Sequence, residues 1–190
     1  MRVLLAVLPL FANALPGPGQ ETADITRAPK WAARAQFAGM QGLVSTGLLW
    51  TVPDGRLQIG ALYGHSPDRH GGTDFHGAIL RATGAWFPVH KQQCGKWSMS
   101  PTVSLSAVME LGGISFFRLP DRYPDDFYGP QALHGLLSIG GRLGHPVRGG
   151  RLALTAEAVT LDTYLWYGII QRQIRFKGMW SMALGVEYHF

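Results

Sequence analysis

Five residues of catalytic type lie within or beside the apolar segments of the sequence: His65, Asp74, His76, His134 and Asp162. Such side chains form a nucleophilic site when a base activates a hydroxyl group and an acid orients the base. His134 is followed by Gly135 rather than by Ser, and no hydroxyl group is clearly paired with a histidine. We therefore predict no catalytic residue, and a hydrolase site at one rim of the fold stays open as an alternative.

The histidines and acids also give no recognised metal pattern. His65 and His70, or Asp74 and His76, could meet in one loop, but no spacing matches a known set of ligands. We expect no metal and no cofactor. Cys94 is the only cysteine in the sequence, so no intrachain disulfide can form.

The segment 182–190 is the most informative structural element of the sequence. Apolar side chains stand at every second position from Met182 to Phe190, with small or polar residues between them. A period of two is typical of a strand with one apolar face. Ending on Phe190, the segment resembles the C-terminal signature of bacterial outer-membrane β-barrels. The resemblance implies an all-β fold, with Tyr188 and Phe190 as an assembly signal.

The first 14 residues have the layout of a secretory signal peptide. A positive start at Arg2 precedes an apolar run from Val3 to Phe11, and a small-x-small cleavage site ends at Ala14. We expect cleavage after Ala14. Residues 15–30 then form a periplasmic leader rich in Pro, Gly and polar residues, and residues 31–190 form the barrel domain.

The composition fits a membrane barrel better than a soluble domain. Hydrophobic residues make up 46% of the chain, yet no later segment reaches the roughly 18 unbroken apolar residues that a membrane helix needs. Charged residues make up only 15%, below the roughly 25% of soluble domains. The 25 glycines suit strongly curved strands and tight turns.

Alternation predicts eight strands, at 31–40, 43–52, 57–64, 76–87, 98–112, 133–142, 151–161 and 179–190. Because bacterial barrels have even strand numbers, we predict a single antiparallel up-and-down transmembrane β-barrel. One long strand over 31–52 remains an alternative, since the alternation there is barely interrupted. Connections are predicted at 53–55, 88–97 and 144–150. Residues 162–178 are expected to continue the seventh strand and then become a loop.

The same alternation points a set of ionisable side chains into the barrel. The predicted lumen network consists of Arg81, Glu110, His134, Arg142, Glu157 and Glu187, with His189 also inward. Side chains fill an eight-stranded barrel, and buried charges must be paired. We therefore predict that the arginines neutralise the glutamates and that there is no open pore. A small polar site near the external rim is the alternative.

Two loops could meet partners outside the barrel. Residues 118–130 combine prolines and aromatics, which indicates a stiff, ordered loop. The candidate recognition surface in this loop consists of Arg122, Tyr123, Asp125, Asp126 and Tyr128. A loop folded back to seal the barrel is equally open. The last loop carries Arg172, Arg175 and Lys177, which would attract lipid phosphates.

The resemblance to small, about eight-stranded outer-membrane barrels implies a location and a set of partners. The location is the bacterial outer membrane, and the partners are lipopolysaccharide phosphates, the barrel-assembly machinery and periplasmic chaperones. We expect no nucleic-acid partner, because the basic residues are scattered. The expected role is structural, in the envelope, or surface binding. The alternatives are a lipid A-modifying, deacylase-like hydrolase and a secreted soluble β-barrel binding protein.

Overall fold

The computed structural model describes residues 30–53, 55–68, 74–86, 97–111, 132–172 and 175–190, and these form a closed antiparallel barrel. The strands are β1 (Trp31–Ala38), β2 (Val44–Thr51), β3 (Leu57–Ser66), β4 (Phe75–Ala85), β5 (Ser98–Glu110), β6 (Leu133–Val147), β7 (Gly150–Leu161) and β8 (Ser181–His189). Each pairs with its sequence neighbours, and β1 also pairs with β8. The predicted all-β fold with eight antiparallel strands is confirmed.

The two ends of the barrel differ in what they carry. The terminal end holds Trp31 and Phe190, together with the last residues of β2, β4 and β6. The loop end holds the last residues of β1, β3, β5 and β7 and the described helical residues that follow β7. The predicted signal peptide and all of the predicted leader except Lys30 lie outside the described residues.

Strand β5 shows how the sequence forms the wall of the barrel. Its hydroxyl-bearing residues are buried on the inside, and they are Ser98, Ser100, Thr102, Ser104 and Ser106. Met99, Pro101 and Ala107 are exposed on the outside. Successive side chains of a strand point to opposite faces, so alternation in the sequence becomes a polar inside and an apolar outside.

The segment 31–52 forms two strands, which settles the question that the alternation left open. Between them the chain reverses through left-handed backbone at Ala38 (φ 62°), Gly39 (φ 87°), Met40 (φ 62°) and Gly42 (φ 103°). Residues with a Cβ rarely adopt such backbone angles, whereas glycine adopts them readily. A Cβ on Gly39 would also lie 2.5 Å from the Cβ of Ala183. The turn is therefore tight, and the apolar alternation passes through it without a visible break.

The predicted turn at 144–150 is wrong. Strand β6 continues to Val147, and the hairpin is reduced to Arg148 and Gly149, where Gly149 has a φ of 86°. The glycines and Pro146 suggested a long turn. Pro146, however, lies beyond Gly144, the last β6 residue in register with β5. Proline is tolerated where a strand lacks a partner on one side.

The predicted continuation of the seventh strand beyond residue 161 is also wrong. After Leu161 the chain turns helical, with an α-helix at Asp162–Leu165, a π-helix at Trp166–Ile170 and a 3-10 turn at Phe176–Gly178. The carboxylate of Asp162 accepts the backbone N–H of Thr163 at 2.7 Å. An Asp side chain that bonds the adjacent backbone competes with strand pairing. Within the described ranges, no helix is long and apolar enough to cross a membrane.

An apolar layer occupies the loop-end half of the interior. Its buried residues come one from each strand from β3 to β8, and they are Leu62, Ile79, Val108, Leu136, Val159 and Ala183. The same buried cluster extends toward the terminal end through Ala32 and Leu49. Partly buried Met40, Phe75 and Leu161 pack against the same cluster. Below this layer, toward the terminal end, the interior is mostly polar and charged.

Candidate functional site

The centre of the barrel holds a set of buried ion pairs. Arg34 donates to Glu187 Oε1 at 2.6 Å through Nη1 and to Glu157 Oε1 at 3.0 Å through Nη2. Arg81 Nη2 donates to both oxygens of Glu157, at 2.6 and 2.7 Å. All four residues are at most 2% exposed. Such charge-assisted hydrogen bonds are the condition under which charges can be buried, and Glu157 bridges two arginines.

Arg142 adds a second branch to these pairs. Its Nε lies 2.9 Å from Glu187 Oε2, and its Nη2 donates to the side-chain oxygen of Gln58. Gln58 in turn donates to the hydroxyl oxygen of Thr51 at 3.2 Å. The Nε2 atom of His189 lies 3.2 Å from the same Glu187 oxygen. Glu187 therefore links the branch to the central pairs.

The ionic network, as we name this connected set, includes side chains from all eight strands. Its members are Arg34, Gln36, Thr51, Gln58, Arg81, Thr83, Ser104, Ser106, Arg142, Glu157, Glu187 and His189. Gln41, from the turn after β1, joins Gln36 to Ser106 at the loop end. A slip of one residue would turn a strand's members outward, so the network specifies the register of the barrel.

A glycine provides the space for the central carboxylate. Gly140 is the cross-strand partner of Glu157, and a Cβ on Gly140 would lie 2.8 Å from Glu157 Cγ and 2.2 Å from the carbonyl oxygen of Ala156. At the adjacent Gly141, a Cβ would meet only the backbone oxygen of Ser100, at 3.9 Å. The network therefore needs glycine at position 140, while position 141 has room for a side chain.

The predicted lumen residues divide between this network and the rim. Arg81, Arg142, Glu157 and Glu187 are buried and belong to the network. Glu110 is partly exposed at the last position of β5. His134 is partly exposed near the start of β6, and its Nδ1 lies 3.9 Å from Asp162 Oδ1.

Arg34 is the main network residue that the sequence reasoning missed. It stands in the run Trp31-Ala32-Ala33-Arg34-Ala35, where the inward and outward neighbours are both alanine. Inward and outward positions therefore cannot be told apart by residue type around Arg34. Its cross-strand partner is Gly47, but a Cβ on Gly47 would meet the carbonyl oxygen of Ala61 and the Cα of Leu62. The glycine therefore reports the close approach of β3, and no local signal in the sequence points to Arg34.

A cluster of aromatic and imidazole rings lies on the outer face of β3 and β4, near the loop end. Tyr63 Oη and His76 Nδ1 are 2.5 Å apart, and the ring of His65 stacks on that of His76 with centroids 4.9 Å apart. Asp74 instead accepts the backbone N–H of Asp68. Of the five residues of catalytic type, His65 and His76 thus come together here, and His134 and Asp162 come together between β6 and β7.

The predicted recognition surface lies outside the described residues, and it consists of Arg122, Tyr123, Asp125, Asp126 and Tyr128.

The predicted assembly residues Tyr188 and Phe190 lie on the outside of the barrel at the terminal end, with ring centroids 6.2 Å apart. The Phe190 N–H donates to the Trp31 carbonyl oxygen at 2.9 Å. An apolar groove of about 720 Å³ is lined by residues of β1, β2 and β5 to β8, among them Phe37, Met99 and Leu184.

The fold and the ionic network together define a class of protein: a closed eight-stranded barrel with a charged interior and an apolar exterior. Among the residues that the structure describes, no cluster of three or more His, Cys, Asp or Glu side chains could hold a metal ion. Comparison of the chain with protein-family models, with curated proteins and with solved structures finds no match.

Proposed function

We propose that this chain is a small outer-membrane β-barrel protein with a filled polar lumen and a structural or surface-binding role in the bacterial envelope. The observation that carries the proposal is the reversed distribution of side chains. On β4, for example, Leu80 is 68% exposed while the adjacent Arg81 is 2% exposed. A soluble barrel would bury the leucine and expose the arginine.

The cost of the exposed apolar wall supports a lipid environment. Apolar surface left in water costs about 25 cal/mol per Å², and the outward row includes Ile59, Leu80, Met99, Ile139, Leu154 and Leu184. Lipid removes that cost. A closed barrel also satisfies the backbone hydrogen bonds of its strands, which the membrane interior requires.

The positions of the aromatic side chains also support a barrel that spans a bilayer. Trp31, Trp50, Trp86 and Trp97 are exposed at the terminal end, and Tyr63 and Trp166 are exposed toward the loop end. Aromatic belts at the two interfaces are typical of membrane barrels. We therefore propose outer-membrane lipids as partners of the folded barrel. The barrel-assembly machinery and periplasmic chaperones are the proposed partners during its insertion.

The filled interior supports a role without an open pore. The ionic network crosses the lumen, and the apolar layer lies above it toward the loop end. An ion that crossed the barrel would have to disrupt buried charge pairs and then pass apolar side chains. A structural or surface-binding role fits this interior better than transport does.

One observation favours a second candidate, an enzyme that modifies lipid A. The Tyr63–His76 contact lies on the outer face near the loop end, where a membrane-facing hydrolase would meet its substrate. The arrangement lacks the features of a serine site, since the hydroxyl is a phenol. Mass spectra of lipid A from cells with and without the protein would separate the candidates. Unchanged lipid A supports the binding role, and loss of an acyl chain supports the enzyme.

Refolding of the purified chain tests the main proposal. We expect the folded protein to require detergent or lipid, to migrate faster on denaturing gels before heating than after it, and to give no stable conductance in planar bilayers. A folded chain that stays soluble without detergent would overturn the membrane assignment. A steady open conductance would overturn the filled lumen alone.

A further inference from the structure

The helical connection between β7 and β8 exposes an unusual amount of apolar surface for a loop. Five of its large side chains are 39–75% exposed, and they are Trp166, Tyr167, Ile169, Ile170 and Phe176. In water, contiguous exposed apolar side chains of this size mark a site of interaction. We name residues 162–172 and 175–178 the helical lobe.

The helical lobe is also cationic. Arg172, Arg175 and Lys177 are all exposed, and the sequence holds no Asp or Glu from Thr163 to Val186. Asp162, at the start of the lobe, is its one acid among the described residues. Beyond it, apolar and aromatic side chains stand beside cations, which is the pattern of segments that lie in a membrane interface. The cations attract lipid phosphates while the apolar side chains enter the acyl boundary.

Two contacts order the helical lobe, one to strand β6 and one to the residue that directly follows the lobe. The backbone N–H of Gly135, on β6, donates to Asp162 Oδ2 at 3.1 Å. At Gly168, a Cβ would lie 2.3 Å from Met179 Sδ, and Met179 is 3% exposed. The exposed apolar side chains therefore belong to an ordered element and are presented outward from it.

We propose that the helical lobe binds the phosphate-bearing surface of an anionic lipid bilayer, anchoring the loop end of the barrel. This inference rests on the proposed membrane function, and it adds that the barrel selects anionic lipids. Charge complementarity decides the occupant. A second copy of the chain placed symmetrically on this surface would bring cation against cation, whereas lipid phosphates would neutralise Arg175 and Lys177.

The test uses the full chain reconstituted in nanodiscs of phosphatidylcholine and phosphatidylglycerol in equal parts. Native mass spectrometry counts the lipids that stay bound after the disc is removed. We expect the wild type to retain phosphatidylglycerol in preference to phosphatidylcholine. Arg175→Gln with Lys177→Gln should reduce that preference roughly tenfold, because each cation near the surface contributes attraction. A matched pair at the terminal end, Lys30→Gln with Arg148→Gln, should leave it largely unchanged.

The apolar arm uses Ile169→Ser with Ile170→Ser, at exposed positions where folding should be retained. In nanodiscs, the backbone amides of residues 162–172 should exchange hydrogen faster in this variant than in the wild type. The yield of refolding into detergent-free vesicles should be the same for both. Equal retention of both lipids by the wild type, or equal losses in the two charge pairs, would overturn the inference while leaving the barrel proposal intact. Failure of the wild type to enter phosphatidylcholine membranes would overturn both.

Discussion

Arg34 on β1 and Glu187 on β8 are directly opposite each other in the strand register, and their side chains meet at 2.6 Å. The pair therefore spans the seam at which the first and last strands close the barrel. The two residues are 153 positions apart in the chain, so their contact forms only when the barrel closes. The lumen charges thus stabilise closure in addition to filling space.

A double-mutant cycle tests the seam pair. Arg34→Met and Glu187→Leu should each destabilise the barrel by about 3–5 kcal/mol, because each leaves buried charge unpaired. The double variant should cost less than the sum, by about 0.5–3 kcal/mol. Urea unfolding of the protein in vesicles gives these free energies. The control cycle combines Arg34→Met with Leu105→Ala, and its two free-energy changes should add. Additive changes in the Arg34–Glu187 cycle would contradict a direct interaction between the two residues.

Glu157→Gln tests the central bridge between Arg34 and Arg81. Removing the negative charge leaves two buried guanidinium groups with reduced compensation, so we expect a loss of about 3–5 kcal/mol in unfolding free energy. Glu110→Gln, at the rim of β5, should cost well under half of that. Similar losses for the two variants would mean that Glu110 belongs to the network, as the sequence pattern alone predicts.

Adjacent glycines offer a test of packing inside the barrel. Gly140→Ala places a methyl group against Glu157 and the Ala156 carbonyl oxygen, and such overpacking costs about 1–3 kcal/mol. Gly141→Ala has room for its methyl group and should change stability by less than about 0.5 kcal/mol. Thermal unfolding of the two variants in the same detergent makes the comparison. A larger loss at position 141 would show that the inside and outside of β6 are assigned wrongly.

The sequence reveals the fold where inward and outward residues differ in chemistry. On β5, hydroxyls alternate with Met, Val and Leu, and the face of each residue can be read directly. On β1, Ala32, Ala33 and Ala35 give no contrast, so Arg34 escaped the predicted network. Side-chain pairing across the lumen depends on strand register, and no local pattern reports that register.

Local signals also competed with tertiary structure at two connections. Pro146 and its neighbouring glycines favoured a turn, yet pairing with β7 carries β6 on to Val147. The apolar residues after Leu161 favoured a longer strand. The Asp162 side chain, however, accepts the backbone N–H of Gly135 on β6 and that of Thr163 just after the strand. In both places the deciding contact lies on another strand or in a side chain that a period of two does not describe.

Spin-label accessibility along β5 is the most direct test of the central claim that this barrel faces lipid with its apolar side. In a Cys94→Ser background, single labels at Val103→Cys, Leu105→Cys and Ala107→Cys would be measured in vesicles, with Arg148→Cys as the exposed control. We predict that the three strand labels collide with lipid-soluble oxygen and are shielded from a water-soluble nickel complex, while the control shows the opposite. Strand labels that meet the nickel complex as readily as the control would contradict the account.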